Sequence, residues 1–114
     1  MSTKTTGFAG EHKTRLYYEK LGYECLEQNY RYKRSEIDLI MLAPNENLLV
    51  FIEVKSRSGN RFGEPESFVS VKQEERIKEA AEDYILAINW QKDVRFDIAS
   101  VDASGKIEVF QDAF

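Results

Sequence analysis

The sequence predicts a mixed α/β fold: one five-stranded sheet flanked by helices, in the order α-β-β-β-α-β-β. Three observations predict it. Two stretches repeat apolar residues at spacings of three and four, as helices with one buried face do. Six of the seven residues Leu48 to Val54 are apolar, as in a strand buried on both faces. The longer helical stretch also falls between the third and fourth strand stretches, a crossover long enough to set those strands parallel.

Residues 1–6 are polar and are expected to be disordered. From Gly7 to Lys20 the pattern is helical, with Glu11, Thr14, Tyr18 and Leu21 as the inward stripe and Tyr17 beside it. Gly22 suits the helix C-terminus. YECLEQNYR, from Tyr23, reads as the first strand and EIDLIML, Glu36 to Leu42, as the second. The turn cluster Pro44-Asn45-Glu46-Asn47 leads into the third strand, Leu48 to Lys55, so strands two and three form an antiparallel hairpin. Ser56 to Ser67, with two Gly and one Pro and no periodicity, is a loop whose length hints at function. Ser70-Val71-Lys72-Gln73 has the S-x-x-Q form of a capping box. The helix it opens runs to about Asn89, with Ile77, Ala80, Ala81, Tyr84 and Ile88 inward. Val94 to Val101 is the fourth strand. Asp102-Ala103-Ser104-Gly105 turns the chain into the fifth, Lys106 to Phe110.

With 114 residues the chain makes one domain, 1–114, and its 42% hydrophobic content can fill a core. No apolar run is long enough to span a membrane, and the N-terminus lacks the apolar stretch of a secretory signal. Cys25 is the single cysteine, which excludes an internal disulfide and reads as a small core residue. These features point to a soluble protein of a reducing cytoplasm. The net charge of −4 argues against binding nucleic acid by bulk attraction. The charge is uneven, however. Acid gathers at Glu74, Glu75, Glu79, Glu82 and Asp83, on the solvated side of the second helix. Base gathers at Arg31, Lys33, Arg34, Lys55, Arg57 and Arg61.

Four residues carry possible chemistry. Asp38 sits inside the second strand. Glu53 and Lys55 end the third, two apart and so on one face, roughly 7 Å from each other. Pairing of the two strands brings Asp38 beside Glu53, where two carboxylates repel. A divalent cation resolves that repulsion, and magnesium takes one or two carboxylates plus water and phosphate. Lys55 can then hold the attacking water or stabilise charge on phosphate. Glu11, from the first helix, can complete the site directly or through water. The plain alternatives stay open: a strand Glu-x-Lys is commonly a surface salt bridge, Asp38 can pair with Arg34, and Glu11 suits a helix's first turn. His12 is the only histidine and reads as a surface residue, so a zinc site is disfavoured. Ser56 and Ser58 lack a histidine base, and no glycine-rich phosphate loop is present.

The order of these residues resembles the PD-(D/E)XK nuclease superfamily. More narrowly, the chain is similar to the YraN-like family of small bacterial proteins, which resemble Holliday-junction resolvases. The pieces are Gly7-x-x-Gly10-Glu11, Leu21-Gly22-Tyr23, Asn29-x-Arg31, Glu36-Ile37-Asp38-Leu39-Ile40, Val50 through Lys55 and Arg57, Phe62-Gly63, Lys72, Arg95-Phe96-Asp97 and Ala113-Phe114. Ser35 stands where the family usually has Gly, and Thr14 where it usually has Ala; neither is an active-site group. The resemblance implies a restriction-endonuclease-like fold and a metal-dependent nuclease acting on DNA, on branched or recombination intermediates. Asp38, Glu53 and Glu11 match its metal-binding acids and Lys55 its catalytic lysine, with Mg2+ (or Mn2+) as cofactor. Arg31, Lys33, Arg34, Arg57, Arg61 and Lys72 are the candidate nucleic-acid contacts, with Tyr30, Tyr32 and Phe62 interleaved. A symmetric cutter needs two sites, hence a homodimer. The alternative is a non-catalytic nucleic-acid-binding module of the same fold, an accessory to a larger machine.

Overall fold

A computed structural model describes residues 3–56 and 69–114, with side chains from residue 9 onward. Helices α1 (Thr3–Lys20) and α2 (Val71–Ala87) flank five strands: β1 (Glu24–Tyr32), β2 (Ser35–Leu42), β3 (Leu48–Ser56), β4 (Asp93–Val101) and β5 (Ile107–Phe110). The chain order is the expected α-β-β-β-α-β-β, and the strands lie in the sheet in sequence order. β1–β2, β2–β3 and β4–β5 pair antiparallel; β3 and β4 pair in parallel across the α2 crossover.

Both helices stop by the same device. At the end of α1, Gly22 takes a φ of +94°, Gly22 N donates to Glu19 O, and Tyr23 N donates to Tyr18 O. At the end of α2, Asn89 takes a φ of +56°, Asn89 N donates to Leu86 O, and Trp90 N donates to Ile85 O. These paired back-bonds satisfy carbonyls that a helix end otherwise leaves open. They also explain two departures from the sequence pattern. Leu21 (55% exposed) and Ile88 (41% exposed) continue the apolar period, yet each sits where its helix is already closing and leaves the buried face. At the other end, α1 starts at Thr3, ahead of the start expected near Gly7. One Gly inside a helix costs about 1 kcal/mol against Ala, too little to end it.

The two helices cover opposite faces of the sheet. Ile77, Ala80, Ala81 and Tyr84 of α2 pack with Ile40, Leu49, Phe51 and Ile98. Tyr18 of α1 packs with Leu39, Met41, Val50, Ile52 and Ala99. Central strand β3 therefore supplies Leu49 and Phe51 to one core and Val50 and Ile52 to the other, all fully buried. Each such side chain contributes about 1.5–3 kcal/mol by leaving water. That rigid strand is what carries Glu53 and Lys55.

Candidate functional site

The site forms where β2 and β3 part. Their ladder runs from Leu42↔Leu49 to Leu39↔Ile52 and stops there, one step short of Asp38 and Glu53. Asp38 Oδ2 instead accepts the backbone N–H of Val54 at 2.7 Å, so a carboxylate takes over a donor that the next rung would have used. Strand β2 is irregular at the same point. Ile37 packs in the α2-side core and Leu39 in the α1-side core, although residues two apart share a face in a regular strand. Opposite Asp38 on β1, Asn29 adopts a φ of +56°. The local break re-aims Asp38 toward Glu53.

Glu53 is buried at 8% exposure, and its Oε2 takes two donors: Lys55 Nζ at 3.2 Å and Gln73 Nε2 at 2.9 Å. Asp38 and Glu53 are electrostatic neighbours. Burial, and then the charge of Glu53, push Asp38 up to about 8, against the pull of the Val54 N–H. Burial also raises Glu53, and Lys55 opposes that rise. Both shifts disfavour a doubly charged pair, and the titration belongs to the pair rather than to either residue.

Glu11 reaches the same region from α1, at 7% exposure. Asn29, Gln28, Glu36 and Asp38 are its electrostatic neighbours, and burial raises its carboxyl above the ordinary value. Its Oε1 has no hydrogen-bond partner. Among the described residues no group of three or more His, Cys, Asp and Glu side chains is gathered as a ready metal cage. The donor set on offer is the Asp38–Glu53 pair, with the orphaned Glu11 oxygen nearby. Two crowded carboxylates are a set that a divalent ion fits.

Asp38 and Glu53 open into a cleft of about 460 Å³, which Glu11 and Lys55 do not line. Arg34 lines it from the β1–β2 turn, and Lys72 and Arg76 line it from the first turns of α2. None of these three cations is ion-paired among the described residues. Of the other expected nucleic-acid contacts, Arg31 is exposed on β1 opposite Glu36, outside the cleft lining. Lys33 is exposed, with its Nζ 5.2 Å from the centre of the Tyr32 ring. Arg57, Arg61 and the loop after Ser56 lie outside the described residues.

Three polar residues of the site escaped the sequence reading. Arg76 follows Lys72 by one helical turn, a spacing that could have flagged it. Ser100 is fully buried beside Lys55 in the β3–β4 register, with its hydroxyl unpartnered. Gln73 read as a capping residue; its side chain goes to Glu53 instead.

The profile of Uncharacterised protein family UPF0102 matches residues 10–101. The chain belongs to the UPF0102 family. This is the YraN-like family to which the motifs pointed. A UPF0102 protein of Cytophaga hutchinsonii is 46% identical over 95 residues, covering 83% of this chain and 82% of the relative. One from Flavobacterium psychrophilum is 38% identical over 111 residues, 95% of this chain and 92% of the relative. One from Chlorobium chlorochromatii is 37% identical over 122 aligned positions, 99% and 93% respectively. The UPF0102 match spans both halves of the site, from α1 to the end of β4. No helix among the described residues is long and apolar enough to cross a membrane.

Proposed function

We propose that this UPF0102 protein is a magnesium-dependent nuclease that hydrolyses phosphodiester bonds in DNA, with branched or recombination intermediates as its substrates. The observation that carries the reading is the crowded Asp38–Glu53 pair at a cleft lined by cations that make no ion pair among the described residues. A structural ion-pair network would neutralise its own carboxylates. Among the described residues this one offers a single ammonium, Lys55, to two crowded acids. Arg34, Lys72 and Arg76 suit phosphate, and the acids suit the counter-ion a phosphate brings.

Asp38 and Glu53 would hold magnesium, or manganese, which when bound supplies Lewis-acid polarisation of a phosphoryl oxygen and a more acidic water. Glu11 offers Oε1 to the same region, directly or through water. Lys55, tied to Glu53 at 3.2 Å, is placed to orient the attacking water or to stabilise charge developing on phosphate. The three cleft cations bind and orient the backbone.

The test is single-turnover cleavage of single-stranded, duplex, flap and four-way-junction DNA with magnesium or manganese, beside binding measured in calcium. Wild type should cut at least one substrate. Lys55→Ala should slow cleavage on the order of 100-fold or more, with affinity nearly unchanged. Lys72→Ala should weaken binding and lower its salt dependence by about one phosphate contact. If wild type cut nothing, the enzyme reading would fall. If Lys55→Ala lost only affinity, as Lys72→Ala does, the non-catalytic binding module would replace it.

A further inference from the structure

The S-x-x-Q sequence at the start of α2 calls for a reciprocal pair. The Ser70 hydroxyl accepts from the backbone of Gln73, and the Gln73 side chain reaches back to the backbone of Ser70. Half of that pair forms: Ser70 Oγ accepts the Gln73 N–H at 3.1 Å. The other half is absent among the described contacts. Gln73 instead donates its side-chain amide to Glu53 Oε2 at 2.9 Å, across the gap from α2 to β3. A local rule gives way here to a contact 20 residues distant in sequence, and such conflicts gather at functional sites.

We propose that Gln73 is a positioning residue: it fixes the Glu53 carboxylate for divalent-ion binding and ties the first turn of α2 to the site. The proposal rests on the reading of Asp38 and Glu53 as ion-binding acids. Two donors meet at Glu53 Oε2, and they are not equivalent. Lys55 stands on the same strand at the end of a flexible four-carbon stem, 28% exposed. It can follow the carboxylate wherever that group rotates. Gln73 brings a planar amide from a different element, and α2 is held by Ile77, Ala80, Ala81 and Tyr84 buried against the sheet. A donor on a fixed helix gives the carboxylate a direction that a lysine on its own strand does not. Partners of this kind behind a metal ligand typically set affinity by 10- to 100-fold, roughly, without touching the ion.

The test is calorimetric titration with manganese chloride of wild type, Gln73→Met, Gln73→Asn and Asp38→Asn, with urea unfolding of each. Gln73→Met keeps the length of the side chain and removes the amide. Gln73→Asn keeps the amide but falls one methylene short. Both should bind manganese about 10-fold or more weakly at nearly unchanged urea midpoints, and Asp38→Asn should lose binding. A capping or packing role would move the midpoint and leave affinity alone, and that outcome overturns the proposal. So does manganese affinity equal to wild type in whichever Gln73 variant remains folded. If wild type bound no manganese, or Asp38→Asn bound it as tightly as wild type, the ion-binding reading would itself be overturned, and the proposal with it.

Discussion

Asp97 and Glu53 sit one step apart on paired strands, since Asp97 lies opposite Ile52 in the β3–β4 register, and they face opposite helices. Asp97 is fully buried on the α1 side and completely served. Arg95 donates to both of its oxygens, from Nε and Nη2 at 2.8 Å each. Tyr18 Oη donates to Oδ2 at 2.7 Å, and the Asp112 N–H donates to Oδ1 at 3.1 Å. On the α2 side, Asp38 and Glu53 share, among the described residues, one ammonium, one amide and one backbone N–H. One region matches a single carboxylate with a guanidinium from its own strand and donors from α1 and from the turn after β5. The other leaves two acids crowded and a third, Glu11, with an orphaned oxygen. Burying charge without compensation is costly. Asp97 shows that this fold can compensate a buried acid, so the shortfall beside β2 is a property of that site, not of the sheet.

The largest expected effect breaks the satisfied region. Asp97→Ala removes the partner of a bidentate, largely buried Arg95 and strands the Tyr18 hydroxyl, so it should cost about 3–5 kcal/mol of folding stability. It also frees the Asp112 N–H, which helps hold the chain's last residues beside β4, where Ala113 N donates to Phe96 O. Urea unfolding measures the loss. A loss below about 1 kcal/mol would mean that the network is not structural and that the contrast with the cleft is only apparent.

The unsatisfied region should respond with the opposite sign. Asp38 has an ordinary value of 3.8 and is pushed up to about 8 by burial and by Glu53. A raised folded value means that the folded chain holds the proton more tightly than the unfolded one. The stabilisation from this group is whole below the unfolded value and is lost as pH rises through the folded value. Without metal, wild type should therefore lose stability between about pH 4 and about pH 8. Asp38→Asn keeps an oxygen for the Val54 N–H and removes the charge. It should be more stable than wild type at about pH 8 by at least about 1.4 kcal/mol, the worth of one pKa unit, with the gap closing toward about pH 4. Unfolding in a chelator across that range is the measurement. An Asp38→Asn variant that is less stable at every pH would make Asp38 another Asp97.

How much of this contrast the sequence carried depends on the range of each interaction. The element order, the β2–β3 hairpin and the parallel crossover follow from local periods and turn residues, and all are found. Glu53 and Lys55 share a face because strand residues two apart do, and Asp38 joins them because a hairpin register is nearly fixed by its turn. Arg95 and Asp97 obey the same two-residue rule, yet their role stayed hidden. The partners that make Asp97 structural, Tyr18 and Asp112, arrive from α1 and from beyond β5. Gln73 was hidden for the converse reason: a local motif already accounted for it. The break in β2 at Asp38 lies opposite a left-handed Asn29 on the neighbouring strand, and no pattern within β2 announces it.

The smallest expected effect lies between the two regions, at Ser70. Its hydroxyl caps α2 and holds the turn from which Gln73 reaches Glu53. Ser70→Ala removes one exposed cap bond and should cost about 1 kcal/mol. The hydroxyl carries no charge at any working pH, so that cost should stay constant from about pH 4 to about pH 8, unlike the gap for Asp38→Asn. The same unfolding series reads both. A constant loss would set Ser70 with the structural contacts, as a neutral counterpart of the Asp97 network. A loss that grows as pH rises would mean that the cap holds Gln73 against the charged form of Glu53. The cap would then act on the carboxylate pair through the Gln73 amide, and the boundary of the site would have to include Ser70.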